Sequence, residues 1–164
     1  MSSPSLTEFM ATHPDGTLES IAQDYQVSLL TVIQAMPENN IIAGDHFDQV
    51  WDAVVNWGEI TILVNTNDII FEFQGHLPTG YHRHGYFNLR GKAGLSGHIK
   101  AEHCQSIAFV ERKFMGTDTA AILFLNLAGQ AMFKIFVGRD EHRQLQVAQL
   151  AAFRELASLT QAKG

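Results

Sequence analysis

Ile60-Thr61-Ile62-Leu63-Val64-Asn65-Thr66, the polar pair Asn67-Asp68, and Ile69-Ile70-Phe71-Glu72-Phe73-Gln74-Gly75 make up the stretch on which the fold turns. Both apolar runs are rich in β-branched and aromatic residues, which suit a pleated, half-buried surface. The intervening Asn-Asp is turn chemistry, so the stretch predicts a β-hairpin. It also marks a change of period, because the residues before Glu59 recur at helical spacing.

Downstream, Pro78-Thr79-Gly80 is a turn, followed by strand-like runs over 81–89, 95–101, 106–114, 120–126 and 131–138. Gly91-Lys92-Ala93-Gly94, residues 102–105, Gly116-Thr117-Asp118 and Ala128-Gly129-Gln130 separate them. Seven strands in succession with short turns predict an antiparallel sheet, since parallel neighbours need crossover helices. Asp140 is placed as the N-cap of a closing helix that carries Leu145, Val147, Leu150, Phe153, Leu156 and Leu159.

Upstream, a first short helix over 7–11 ends at the turn His13-Pro14-Asp15-Gly16. Leu18, Ile21, Ala22, Tyr25 and Val27 have amphipathic spacing, and Ser28 caps a third helix with Leu29, Val32, Ile33 and Met36. Phe47, Val50, Trp51, Val54 and Val55 predict one more helix, stopped by Gly58. The expected architecture is α+β: N-terminal short helices, a long antiparallel β meander and a C-terminal helix. It is read as a single domain over 1–164, with a helical cap at 1–40, mainly sheet at 41–139 and a helix at 140–164.

Composition narrows the function. The chain has 164 residues, of which 46% are hydrophobic and 17% charged, a globular balance that permits a sizeable core. A formal net charge of −6 argues against a general nucleic-acid binder, although cations can still cluster around a small anionic ligand. The cadence Ile21-Ala22-x-x-Tyr25-x-Val27-Ser28 looks like a helix-turn-helix, yet the would-be recognition helix over 29–36 carries no Lys or Arg. It reads as a structural cap. The lone Cys104 cannot form an internal disulfide and reads as a buried, inert thiol. With no leader pattern at the start and no run of eighteen apolar residues, a soluble cytoplasmic protein without stable membrane insertion is expected.

Four of the eight histidines lie between Gly80 and His103. His82 and His84 alternate, so on one strand they would share a face and could meet an ion. A metal site needs a third ligand, and Glu72, His46 and Glu102 are distant in sequence; the other reading is a turn cap and a pair with Asp or Glu on a neighbouring strand. His98 differs because Gly97 removes a side chain where a flat ligand could approach. On an extended strand His98, Lys100 and Glu102 face one way, which suits a ligand with a metal and an anionic arm, although a lone strand histidine is also commonly structural. Glu111-Arg112-Lys113-Phe114-Met115-Gly116 reads either as an ion-paired strand end or as a cationic rim with a soft apolar wall. No phosphate-loop Lys-Ser/Thr pair is present.

Gly80-Tyr81-His82-Arg83-His84-Gly85-Tyr86-Phe87-Asn88-Leu89-Arg90-Gly91-Lys92, with Gly94-x-Ser96-Gly97-His98-Ile99-Lys100-Ala101-Glu102, Glu111 through Gly116 and Phe136-x-Gly138-Arg139-Asp140, closely resembles the bacterial cytosolic haem-utilisation carriers of the ChuX/HutX type. The similarity extends from Leu6-Thr7-Glu8-Phe9 to the final helix. It implies a homodimeric α+β protein whose curved antiparallel sheets form haem-binding surfaces, and whose haem passes to a downstream haem-degrading enzyme. In that family pattern His98 corresponds to the axial haem-iron ligand. A second family histidine sits in Leu-Val-His-Thr, where this chain has Leu63-Val64-Asn65-Thr66; Asn65 is a poor iron ligand and would instead hydrogen-bond a water or a propionate.

Haem is an apolar disc with an iron and two carboxylates, so a site for it needs apolar walls, a nitrogen ligand and nearby cations. Arg90, Lys92, Lys100 and Arg112 are the expected cations, and Phe73, Leu95, Ile99, Phe114 and Met115 the expected walls. The ligand histidine should be held by an acceptor on its other ring nitrogen, which the sequence does not name. The reading is a haem carrier, not an enzyme. Its alternatives are a haem-degrading enzyme on a related fold and a haem-responsive DNA-binding regulator.

Overall fold

The structure, a computed structural model, describes residues 3–92 and 94–162. Three short helices come first: α1 (Leu6–Ala11), α2 (Leu18–Tyr25) and α3 (Leu29–Gln34). Each starts at a hydroxyl cap that satisfies an otherwise unpaired amide: Ser5, Thr17 and Ser28 accept from Glu8, Ser20 and Thr31 respectively. Ser5 and Glu8 close a full capping box. Then follow β1 (Asn40–Ala43), α4 (Phe47–Val55), β2 (Glu59–Asn65), β3 (Ile70–His76), β4 (Gly80–Arg83), β5 (Tyr86–Leu89), β6 (Gly97–Ile99), β7 (Cys104–Phe114), β8 (Thr117–Asn126), β9 (Ala131–Phe136) and α5 (Val147–Ala162).

The strands form two antiparallel sheets, one of six strands in the order β1-β7-β8-β9-β2-β3 and one of three in the order β4-β5-β6. The predicted hairpin is present as β2–β3, with Asn65 opposite Ile70. The α+β reading of short helices, antiparallel sheet and C-terminal helix holds.

Alternation along the long strands gives the six-stranded sheet a core on each face. Ala108, Val110, Ala121, Leu123 and Leu125 pack against Met10, Leu18, Ile21, Leu29, Val32 and Ile33 of α1 to α3. The opposite face sets Ile60, Ile62, Ile107, Ile122, Phe124 and Ile135 against α4, α5 and the inner side of the small sheet. Phe47 stacks on Trp51 and meets Phe87 edge-on at 5.2 Å, so α4 joins the two sheets. Each such buried aromatic contributes about 1.5–3 kcal/mol relative to exposure. On α5, buried Gln149 accepts from the Gly138 amide at 2.7 Å and donates to the carbonyls of Trp57 and Glu59, fixing the helix to two chain segments.

Several expectations need correction. Among the described residues there are nine strands rather than seven, because Ile41-Ile42-Ala43 belongs to β1, which pairs with β7, and the run over 81–89 is two strands. That run breaks at His84-Gly85, whose φ values of 56° and 81° form a tight turn between β4 and β5. His84 therefore sits in the turn, and the shared face proposed for His82 and His84 does not exist. Strand β6 ends at Ile99 and a 3-10 turn follows over Ala101–His103, so Glu102 does not continue the His98 face. The closing helix begins at Val147, not after Asp140. Asp140 instead accepts amide hydrogens from His142 and Gln144, stabilising a turn that precedes the helix.

Candidate functional site

The small sheet turns one face inward and one outward. Phe87, which lies opposite both His82 and Ile99, points into the core and is buried, and Ile99 packs against that core. The alternate positions point out: Asn88 stands opposite Tyr81 on β4 and opposite His98 on β6, with Arg83 and Tyr86 paired one step along. Three adjacent strands thus bring Tyr81, Asn88 and His98 into one row.

His98 is exposed, and its ring is held on two sides. Its Nδ1 lies 2.6 Å from Asn88 Oδ1, and the Tyr86 ring meets it edge-on with centroids 5.9 Å apart. Asn88 is anchored in turn, its Nδ2 reaching the carbonyl oxygens of Tyr81, Arg83 and Tyr86 at 3.3, 3.1 and 3.1 Å. Cations flank the row: Arg90 lies over the Tyr81 ring at 4.5 Å, and Lys100 Nζ lies 5.4 Å from the Tyr86 centroid. Such exposed cation–π contacts contribute about 0.5–1 kcal/mol each. Lys92 is exposed on the β5–β6 loop. Gly97, with a φ of 152°, adopts a backbone that a side chain would strain, and open space lies where its Cβ would be. The face is an open platform with one imidazole, two tyrosines and flanking cations.

The remaining predicted site residues lie elsewhere. Asn65 and Arg112 line a cleft of about 510 Å³ with Leu18, Leu63, Ile70, Val110, Phe114 and Phe136. This cleft is on the face of the large sheet that α2 covers, whereas the small sheet packs on the opposite face. Its charges are already engaged: Glu19 pairs with Lys134 at 2.5 Å and receives Asn65 Nδ2 at 3.5 Å. Arg112 donates to the carbonyls of Gly16 and Pro14 at 2.7 and 2.8 Å, and burial pulls its guanidinium below the ordinary value while Asp15 and Glu19 pull the other way. Met115 is 76% exposed in the β7–β8 turn, where its amide donates to Asp15. Of the expected walls only Phe114 lines the cleft; Phe73, Leu95 and Ile99 pack against the inner core.

His82 is not part of the platform. Its Nε2 lies 2.8 Å from Asp48, a carboxylate pairing as expected, although the partner belongs to helix α4 rather than to a neighbouring strand. Among the described residues no three His, Cys, Asp or Glu side chains converge to hold a bare metal ion. Cys104 is buried, and desolvation pushes its thiol up to about 11. Tyr81, Tyr86 and Asn88 escaped the sequence reading. The signal was His84-Gly85: taken as a hairpin turn, it places Asn88 opposite Tyr81.

The fold and this face define an α+β protein that presents a single histidine on an aromatic, cationic β platform. The chain belongs to the haem utilisation ChuX/HutX family, whose model matches residues 40–156. It is 32% identical over 140 residues to the intracellular heme transport protein HutX of Vibrio cholerae, covering 84% of this chain and 72% of that one. A crystal structure of an Erwinia carotovora protein is 59% identical with a TM-score of 0.94, covering 96% of this chain and 99% of the other. The structure of the heme binding protein ChuX is 57% identical with a TM-score of 0.92, covering 96% and 99%. No helix among the described residues is long and apolar enough to cross a membrane.

Proposed function

We propose that the chain is a haem-binding carrier that holds haem as cargo on the outer face of the β4–β6 sheet and passes it to a second protein. The observation that carries the reading is His98, a single imidazole on an open face, with Nδ1 occupied by Asn88 and no hydrogen-bonding partner for Nε2 among the described residues. Nε2 is the proposed iron ligand. Family membership and the relatives HutX, a heme transport protein, and ChuX, a heme binding protein, support haem as the cargo.

The residues present suit that cargo. Haem iron accepts an imidazole nitrogen, the porphyrin needs aromatic or apolar surface, and its two carboxylates need cations. Tyr81 and Tyr86 supply aromatic surface, and Arg90, Lys100 and Lys92 supply positive charge for the propionates. A single axial bond on an exposed face also suits release to an acceptor, here a haem-degrading enzyme. Asn65, Arg112 and Met115 fall outside the proposed iron site, the first two being held by Glu19 and by backbone carbonyls.

The reading takes the chain as one intracellular carrier unit that works as a homodimer and catalyses nothing itself. The edge strand β3, whose Ile70 and Phe71 are 62% and 66% exposed, supports a second copy as partner. Titration with haemin tests the carrier reading: a saturable Soret band at one haem per chain is expected, and its absence contradicts the reading. Light scattering checks the dimer.

A further inference from the structure

We infer that Asn88 is a positioning residue that fixes the tautomer of His98, holding the proton on Nδ1 so that Nε2 carries the free lone pair. The inference rests on the carrier reading for its functional consequence but not for its chemistry.

The argument begins with the Asn88 carboxamide, whose two ends have different hydrogen-bonding capacity. One end faces three backbone carbonyl oxygens, those of Tyr81, Arg83 and Tyr86, all within 3.3 Å. Only the NH2 group can sit there, with two hydrogens serving three acceptors. The flipped amide would set its oxygen against three carbonyl oxygens, which repel it. The carboxamide oxygen is therefore committed to the other end, 2.6 Å from His98 Nδ1. An oxygen acceptor at that distance requires a hydrogen on Nδ1, because two lone pairs would repel. In the neutral imidazole one nitrogen donates and the other accepts, so Nε2 is the acceptor.

This is the less populated form of an isolated histidine, which favours the proton on Nε2. The hairpin thus uses its own carbonyls to orient an amide, and the amide selects the nitrogen that can bind iron. Tyr86 limits rotation of the same ring from its edge. A histidine prepared in this way avoids a tautomer change before binding, and the Asn88 oxygen also raises the basicity of the ligating nitrogen.

The test starts without haem. In protein labelled with 15N-histidine, long-range proton–nitrogen correlation of the neutral His98 ring should show a protonated Nδ1 and an unprotonated Nε2. Asn88→Ala and Asn88→Leu, which both remove the acceptor, should each shift the ring towards the Nε2–H form. With haem bound, Asn88→Ala should weaken affinity on the order of tenfold. The ferrous iron–histidine vibration should fall in both variants, a shift that a merely structural role would not produce. A wild-type ring protonated on Nε2, or an Asn88→Ala ring with an unchanged tautomer, overturns the inference. If neither variant folds, the wild-type spectrum decides alone. Should His98→Ala bind haem unchanged, the iron assignment fails while the tautomer result stands, so the two failures are distinguishable.

Discussion

Trp51 donates its indole N–H to the carbonyl oxygen of Pro78 at 2.8 Å, tying α4 to the turn that launches the small sheet. Trp51 is fully buried and meets Phe87 edge-on at 5.3 Å, so the same side chain supports the sheet from beneath. Trp51→Phe leaves that carbonyl without its partner and a void beside Phe87. A loss of about 2–4 kcal/mol in urea unfolding is expected. A change below about 0.5 kcal/mol would show that the contact does not support the platform.

Asp15 links the N-terminal turn to the β7–β8 turn, and the resulting pH dependence has a definite sign. The Met115 amide, then the Gly16 amide and Arg112, hold its carboxyl below the ordinary carboxylate range. A depressed folded-state value stabilises the fold above the unfolded value of about 4, and that stabilisation is lost as pH falls through the lower, folded value. Glu8, held down by the Ser5 amide and hydroxyl, acts with the same sign. Asp15→Asn should therefore lower the urea midpoint at neutral pH and converge with wild type in acid. An offset that stays constant from pH 7 to pH 2 would sink this account.

Cys104 should be almost inert to thiol reagents in the folded protein. With its thiol raised to about 11 by burial, the thiolate fraction at pH 8 is at least about a hundredfold below that of an exposed cysteine. Reaction with an aromatic disulfide should be slow in buffer and immediate in urea. Fast native labelling would contradict the buried placement.

His82 and His84 are expected to be dispensable for iron. His82 is committed to Asp48, and each side chain of that pair is more than half exposed, so His82→Ala should cost less than about 1 kcal/mol. His84 lies in the β4–β5 turn, within hydrogen-bonding reach of Arg83 Nε. The Soret maximum of the haem complex should be unchanged in either alanine variant. A shift in either would move the iron site along the hairpin.

The layers of the fold were legible because their signals are local and periodic: hydroxyl caps at Ser5, Thr17 and Ser28, helical spacing through Phe47 and Val54, and the Asn67-Asp68 turn. Strand β1 was not, since four residues carry little periodicity and their order depends on pairing with distant β7. The hairpin within 81–89 was hidden because His84 takes a positive φ there, a conformation more often given to glycine or asparagine. That omission concealed the platform, for without the turn neither Asn88 opposite His98 nor Tyr81 beside it can be placed. His98 was singled out from Gly97 and from family resemblance, and it lies on the exposed outer face of the small sheet. The clustering of Arg112 with it was not realised, because sequence spacing cannot report which face of a six-stranded sheet a residue occupies.

The central claim, that His98 holds the iron, is tested most directly by haemin titration of wild type against His98→Ala, followed at the Soret band. Wild type should saturate at one haem per chain with the spectrum of an imidazole-ligated haem. His98→Ala should lose that spectrum and bind at least about tenfold more weakly. An unchanged spectrum and affinity in His98→Ala would contradict the claim.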